Sequence, residues 1–452
     1  MLLPDKIVIK VRDKMDTSAT KKNSGSSSAT RENISLTIAT VILGVIVGFS
    51  AIGLSLLLEL IEKIFLNYLE TAQAPVPTAS AFRRLVSVTV GGLLVAVVWY
   101  FLRNKTQPTV GIKKALDGQK MPVLQTIVHV CTQIVYVGTG GSIGRELAPR
   151  EAGAMLAQTW IRFQSHLGLA DLTDADRRLL IAAAAGAGFA GIYIAPITGM
   201  LFCVEILLKK LSLRNVLVSL TMSMIAMLMG SLIKGFHPYY LVGDAHFSII
   251  SLILVIIIAP FTGFAGALFR VICQWAEKNQ VKKSPILWQL PLVAFLTGVV
   301  AYFFPEIMGN GRALAQTAIW TKSSQVLWLL IAVGILKAVV TVLTIRFGAA
   351  GGTLTPAIAI GAAMGAIIGI GLSQIWPNLV IWQCAVLGAV TLLSASQQAP
   401  FMAMFMILEI CHLNYSVFWP MAIGVTIAMV ISRQTLKKYN TIVQLKTVPV
   451  PK

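Results

Sequence analysis

Ala-Pro-Ile-Thr-Gly-Met-Leu-Phe-Cys-Val-Glu-Ile at residues 195–206 returns as Ala-Pro-Phe-Met-Ala-Met-Phe-Met-Ile-Leu-Glu-Ile at residues 399–410. The second copy starts 204 positions after the first, and its Ala-Pro, Met404 and Glu409-Ile410 align with Ala195-Pro196, Met200 and Glu205-Ile206. Upstream of each copy lies a second matching segment. Gly144-Arg145-Glu146-Leu147-Ala148-Pro149 corresponds to Gly351-Gly352-Thr353-Leu354-Thr355-Pro356. Chance similarity between apolar stretches explains the shared Ala-Pro poorly, and the Glu nine residues after each Pro still less. Gly/Pro-interrupted apolar segments in corresponding halves of a membrane chain point to a transport site between two repeats.

Composition places the chain in a bilayer. Of its 452 residues 56% are hydrophobic and only 12% charged, with a mean hydropathy of +0.79. Soluble proteins carry about 25% charged residues. Stretches at about 34–58, 85–102, 216–233, 248–272, 286–304, 325–345 and 415–431 suffice for the roughly 20 residues that cross a membrane. Those at 122–138, 180–194, 357–372 and 379–393 read as too short or too interrupted. Helices that stop partway leave polar backbone in a dry layer, tolerated only beside protein or a water-filled pathway.

The formal charge of +19 lies mostly outside the apolar segments. It concentrates in residues 1–31, in the loop Arg103–Lys120 and in the tail from Arg433 onward. The positive-inside rule assigns all three to the cytoplasm, so the charge reports topology and not nucleic-acid binding. The expected organisation is a cytoplasmic tail (1–33), membrane repeats over 34–245 and 246–432, and a cytoplasmic tail (433–452). The Ser-rich run Ser24–Ser28 reads as disordered tail, and no cleavable signal peptide is visible. Cys131, Cys203, Cys273, Cys384 and Cys411 fall in apolar segments without metal-ligand spacing and read as small core residues. No metal or other cofactor is called for.

Two segments carry the chemistry. Tyr136–Pro149 is Gly-rich and opens a helix of small residues, and Gly348–Pro356 repeats the device. Glycine turns at helix N-termini present N–H groups where the dipole favours an anion; close helix packing is the bland alternative. Glu146 is the leading candidate. An ionised acid beside such a turn competes with an anion for the site and releases it on protonation. The competing reading is an ion pair with Arg145 or Arg150. Intramembrane acids are functional by default. Glu205 and Glu409 read as structural, capping backbone or pairing with a base. His129 reads as a satisfied core residue, Gly309-Asn310-Gly311 as a tight turn, and the Trp residues mainly as interfacial anchors.

Gly144-Arg145-Glu146, the loop Gly351–Pro356 and the duplicated Ala-Pro…Glu segments resemble the CLC family of chloride channels and proton-coupled chloride transporters. The resemblance covers roughly residues 35–445 and suits a short prokaryote-type member without cytoplasmic regulatory domains. It implies an all-α polytopic membrane protein of two inverted-topology repeats with many tilted and partial helices. It further implies a homodimer with one pore per subunit, bounded by membrane lipid. Glu146 matches the family's gating glutamate, and the amides of Leu147, Thr353 and Leu354 fall at its anion-coordinating positions, beside Gly144 and Arg145.

Four departures from the family pattern stand out. Leu147-Ala148-Pro149 replaces Gly-Pro after the Gly-Arg-Glu. Thr109-Val110-Gly111-Ile112-Lys113 stands where the family has Gly-Ser-Gly-Ile-Pro, so Val110 takes the place of an anion-touching serine, ahead of Gly111. Leu354 replaces a frequent Phe. Ile206 occupies the position of the inner proton-relay glutamate of many transporters and cannot carry a proton. The coordinating tyrosine is best matched by Tyr439, for which a membrane-surface role is an equal reading.

The implied function is movement of chloride, or a similar small anion such as nitrate or fluoride, gated by protonation of Glu146. Passive or weakly proton-coupled transport is favoured over strict exchange. A proton-coupled cation carrier is disfavoured by the scarcity of paired acids in the apolar segments. An intramembrane enzyme is disfavoured because no nucleophile–base set is apparent.

Overall fold

The computed structural model describes residues 6–243, 246–247 and 249–447, with side chains described between residues 30 and 441. Sixteen α-helices follow in order among these residues: α1 (Lys6–Leu66), α2 (Ala81–Asn104), α3 (Ile112–Leu116), α4 (Val123–Gly138), α5 (Leu147–Phe163), α6 (Asp174–Tyr193), α7 (Pro196–Leu201), α8 (Leu213–Lys234), α9 (Ile250–Lys278), α10 (Ile286–Phe303), α11 (Arg312–Trp320), α12 (Leu327–Arg346), α13 (Leu354–Ser373), α14 (Ile381–Gln397), α15 (Pro400–Ile410) and α16 (Phe418–Thr447). A π-helical turn, Phe202–Leu207, prolongs α7. No strand occurs among the described residues; their single β contact is one two-residue bridge.

Among the described residues, eight helices are long and apolar enough to cross a membrane, while α4, α7, α14 and α15 are shorter apolar pieces. One of the eight is Leu354–Ser373, a segment expected to be too interrupted to span. Pro356 does not break it, because the proline lies in the first helical turn, where the missing N–H has no intrahelical partner to lose. The N-terminal segment also differs from expectation. Residues 6–33 belong to α1, which no proline interrupts between Pro4 and Pro75. At the other end, α16 carries the helix past Arg433 into the expected tail.

Most membrane-length helices expose apolar side chains outward, for example Phe49, Phe82, Leu228 and Phe261. The centre is built differently. In α6, α13 and α14 most residues are buried, and Ala and Gly make up about half of α6 and α13. Small residues allow backbones to touch where no hydrophobic drive between helices exists. A Cβ on Gly153 of α5 would lie 2.1 Å from the Ala184 oxygen of α6, and one on Gly361 of α13 would lie 2.4 Å from the Gly388 oxygen of α14. The same close packing thus supports the helix behind each glycine turn.

Candidate functional site

Several helices begin on their own side-chain caps. Ser80 accepts from the Arg83 amide, Thr173 from that of Asp176 and Ser212 from that of Asn215. Such caps satisfy amides that have no intrahelical partner. Helices α5 and α13 have none: Glu146 and Thr353 stand at their N-cap positions without a side-chain capping bond. Their first amides are left for another acceptor.

The glycine turns that precede these helices meet. The Gly144 amide donates to the Gly352 oxygen and the Gly352 amide to the Gly144 oxygen, both at 2.8 Å. This is the β bridge noted above, and it places the start of α13 beside Glu146. The Glu146 carboxylate accepts from the Leu354 amide at 2.6 Å through Oε1 and from the Thr355 hydroxyl at 2.9 Å through Oε2. It therefore occupies the positive end of α13, where a free anion is also favoured. Only glycine on both flanks leaves room for it. A Cβ on Gly352 would fall 2.0 Å from Glu146 Oε1, and one on Gly144 would fall 2.2 Å from Oε2. Gly352→Ala is accordingly expected to push the carboxylate off the α13 amide and to flatten the pH dependence of transport. Unchanged pH dependence in G352A, measured as flux from liposomes, would show that the carboxylate has no need of this position.

The ion-pair alternative for Glu146 does not hold, since no cation lies within 4.0 Å of its carboxylate among the described residues. Arg150 Nε donates to the Glu146 backbone oxygen at 2.6 Å, and its guanidinium lies 4.7 Å from the Phe202 ring centre. Arg145 turns the other way, with Glu70 3.8 Å away and the Tyr239 hydroxyl 3.4 Å away.

Two cavities approach the glutamate. One, of about 410 Å³, is lined by Arg145, Arg312, Lys234, Glu62, Glu70 and Tyr239 among others. The second, of about 570 Å³, is bordered by Leu147, Gly351, Thr353, Ile206, Lys113 and Arg270 among others. Arg145 faces the first and Leu147 the second. Glu146, between them in the chain, is fully buried and lines neither. Its two chain neighbours thus face different cavities.

The remaining candidates divide. Leu147, Gly111 and Thr353 line the second cavity, as does the apolar Ile206. Leu354 is buried, its amide held by Glu146. Val110 is half-buried against the core that contains α6, while its neighbours Thr109 and Gly111 reach the cavity. Tyr439 belongs to neither cavity lining. It is 42% exposed on α16, which continues unbroken past Arg433.

The repeated glutamates cap backbone, and they do so crosswise. Glu409 accepts from the Ile197 and Thr198 amides, both at 2.8 Å, and from the Thr198 hydroxyl at 2.6 Å. Glu205 accepts from the Phe401 amide at 3.1 Å and the Met402 amide at 2.7 Å. Each half-helix that opens with Ala-Pro is thus capped by the glutamate ending the other.

His129 is satisfied on both sides, by Trp99 and by Glu151. The turn Gly309–Gly311 is structural; the fully buried Lys337 ammonium donates to the Ile307 and Gly309 oxygens at 2.9 and 2.7 Å. Sequence reading passed over Glu151, Lys337 and the acids Glu62 and Glu70 of the first cavity. Lys337 alone carried a signal, as a single charge inside an apolar run. The cysteines are free, and no group of three metal-ligating side chains occurs among the described residues.

Comparison with known proteins agrees with this architecture. The chain is 28% identical over 413 residues to the voltage-gated ClC-type chloride channel ClcB of Escherichia coli, covering 88% of this chain and 95% of that protein. Among solved structures it resembles a slow cyanobacterial Cl−/H+ antiporter with a TM-score of 0.74 at 20% identity, covering 88% of this chain and 94% of the other. It also resembles a eukaryotic CLC transporter (TM-score 0.71, 19% identity, 93% and 76% covered) and a CLC-type fluoride/proton antiporter (0.63, 19%, 89% and 96%). These likenesses establish the CLC fold of a multi-pass membrane protein. Residues 91–433 match the family model described as voltage gated chloride channel, and the chain belongs to that family.

Proposed function

We propose that this protein moves chloride, or a similar small anion, across the membrane, and that protonation of Glu146 gates the movement. The observation that carries this reading is the Glu146 carboxylate on the Leu354 amide, with its chain neighbours Arg145 and Leu147 facing two different cavities. While ionised it holds the place of the anion. Once protonated it loses the charge that the α13 terminus favours and yields that place. Backbone amides of Leu147, Thr353 and Leu354, with Gly144, Arg145, Val110 and Gly111 around them, are the proposed path. Binding through amides and partial charges suits an ion that must also leave. The working unit is proposed as a homodimer with both termini in the cytoplasm.

Passive or weakly proton-coupled movement is favoured over strict exchange, because Ile206 offers the second cavity an apolar wall. The relatives carry names of both kinds, channel and antiporter, and one of them is a fluoride carrier. Reversal potentials in reconstituted bilayers, under separate chloride and pH gradients, test the reading. The expected value lies at or near the chloride Nernst potential and moves little with a pH gradient. A value displaced far toward the proton potential would establish strict exchange, and an absence of anion current would refute the function.

A further inference from the structure

Glu151 is a buried acid with no part in the gate as described. It follows Glu146 by five residues along α5, about 7.5 Å of helix rise, and it lines the same cavity as Ile206, Leu147 and Thr353. Its Oε2 accepts from Gln133 Nε2 at 2.7 Å and lies 3.5 Å from His129 Nε2. An indole N–H can only donate, so the 3.1 Å contact from Trp99 Nε1 makes His129 Nδ1 an acceptor. The neutral imidazole must then carry its proton on Nε2, facing the carboxylate. Gln133, wholly buried, has its Oε1 left without any donor. A buried carbonyl without a donor is rare enough to require a reason. A half-turn of the Gln133 amide exchanges Nε2 for Oε1 at Glu151, and there only a protonated carboxyl can donate to it.

We propose that Glu151 is a proton-holding site of this cavity and passes protons to Glu146, with His129 and Gln133 as its positioning residues. The proposal rests on the reading of Glu146 as the gate. An excess proton entering the cavity as hydronium is taken up by the Glu151 carboxylate, leaving water behind. The carboxyl then releases it through one or two waters to the Glu146 carboxylate, so that Glu151 becomes ionised as Glu146 becomes neutral. No net charge is created. The Gln133 and His129 N–H groups steady the ionised form after transfer. The charged groups around this step are Arg150 on α5, Lys113 and Lys114 on α3, and Arg270 and Glu277 on α9, all bordering the cavity. On α2, Arg103 stands 5.8 Å from the Trp99 ring centre. This cationic rim favours return of Glu151 to its ionised state. Ile206, on the same wall, has no proton to give.

The test uses full-length protein in liposomes under an outward chloride gradient, with chloride efflux and proton movement recorded together. Wild type is expected to move some protons with chloride. E151Q is expected to lower the proton-to-chloride ratio at least ten-fold, and E151D to keep at least a third of it. His129→Gln, a positioning change, is expected to move the pH midpoint of proton movement by half a unit or more, which a purely structural histidine would not do. Recorded chloride efflux certifies that each variant is folded. A wild-type ratio in E151Q overturns the proposal, as does wild-type chloride efflux without protons. Failure of the gate reading is separate, appearing as E146Q efflux that retains its pH dependence or as no wild-type chloride efflux.

Discussion

Glu146→Gln is expected to yield an anion flux that no longer follows pH and that runs at or above the wild-type rate. The amide has nearly the shape of the acid, and its oxygen can still accept from the Leu354 amide. What it lacks is the charge. A hydrogen bond to a charged group contributes about 1.5–3 kcal/mol and a neutral one about 0.5–1.5, so the side chain competes for the site by roughly 1–1.5 kcal/mol less. Since 1.4 kcal/mol is a factor of ten, the vacated state gains about ten-fold. In wild type the direction follows from the same balance: acid neutralises the carboxylate and raises flux, and base restores the block. Flux from liposomes between about pH 4.5 and 7.5 distinguishes a rising wild-type profile from a flat one in E146Q. A variant profile that still rises with acid would remove Glu146 from the gate.

The second large effect belongs to stability. Glu409→Ala leaves the Ile197 and Thr198 amides and the Thr198 hydroxyl without their acceptor. Each orphaned buried group costs about 1–3 kcal/mol, against a typical total stability of about 5–15. E409A is therefore expected to lose at least about 3 kcal/mol, with a much lower melting temperature in detergent and a low yield of folded protein. Glu409→Gln keeps an acceptor oxygen and should lose less. Glu205→Ala should fall between the two, because Glu205 caps two amides instead of three groups. Equal melting temperatures for E409A and wild type would mean that these caps hold nothing.

The duplication was legible because residue type and spacing alone carry it. Ala-Pro followed nine residues later by Glu survives any drift of the apolar residues between. That each glutamate serves the other copy was not legible, since the same spacing permits a cap within one repeat. Glu146 stood out as an acid in an apolar turn. Glu151 did not, because Arg150-Glu151 reads in one dimension as a self-neutralising pair, and only folding brings Gln133 and His129 of α4 to it. Tyr439 was placed by neighbouring residues, and local sequence does not tell that α16 stays helical there. The proline of Pro356 looked like a break because sequence alone did not fix the start of α13 two residues before it.

The crossed glutamates also order events during synthesis. The half-helix at Pro196 waits for a residue more than 200 positions downstream. At translation rates of about 5–20 residues per second the interval is roughly 10–40 s. Throughout it, the nascent first half holds uncapped amides inside the bilayer and cannot reach its final form. The ribosome must deliver both halves before either is finished, and a chain truncated before Glu409 leaves the Ile197 and Thr198 amides without their cap.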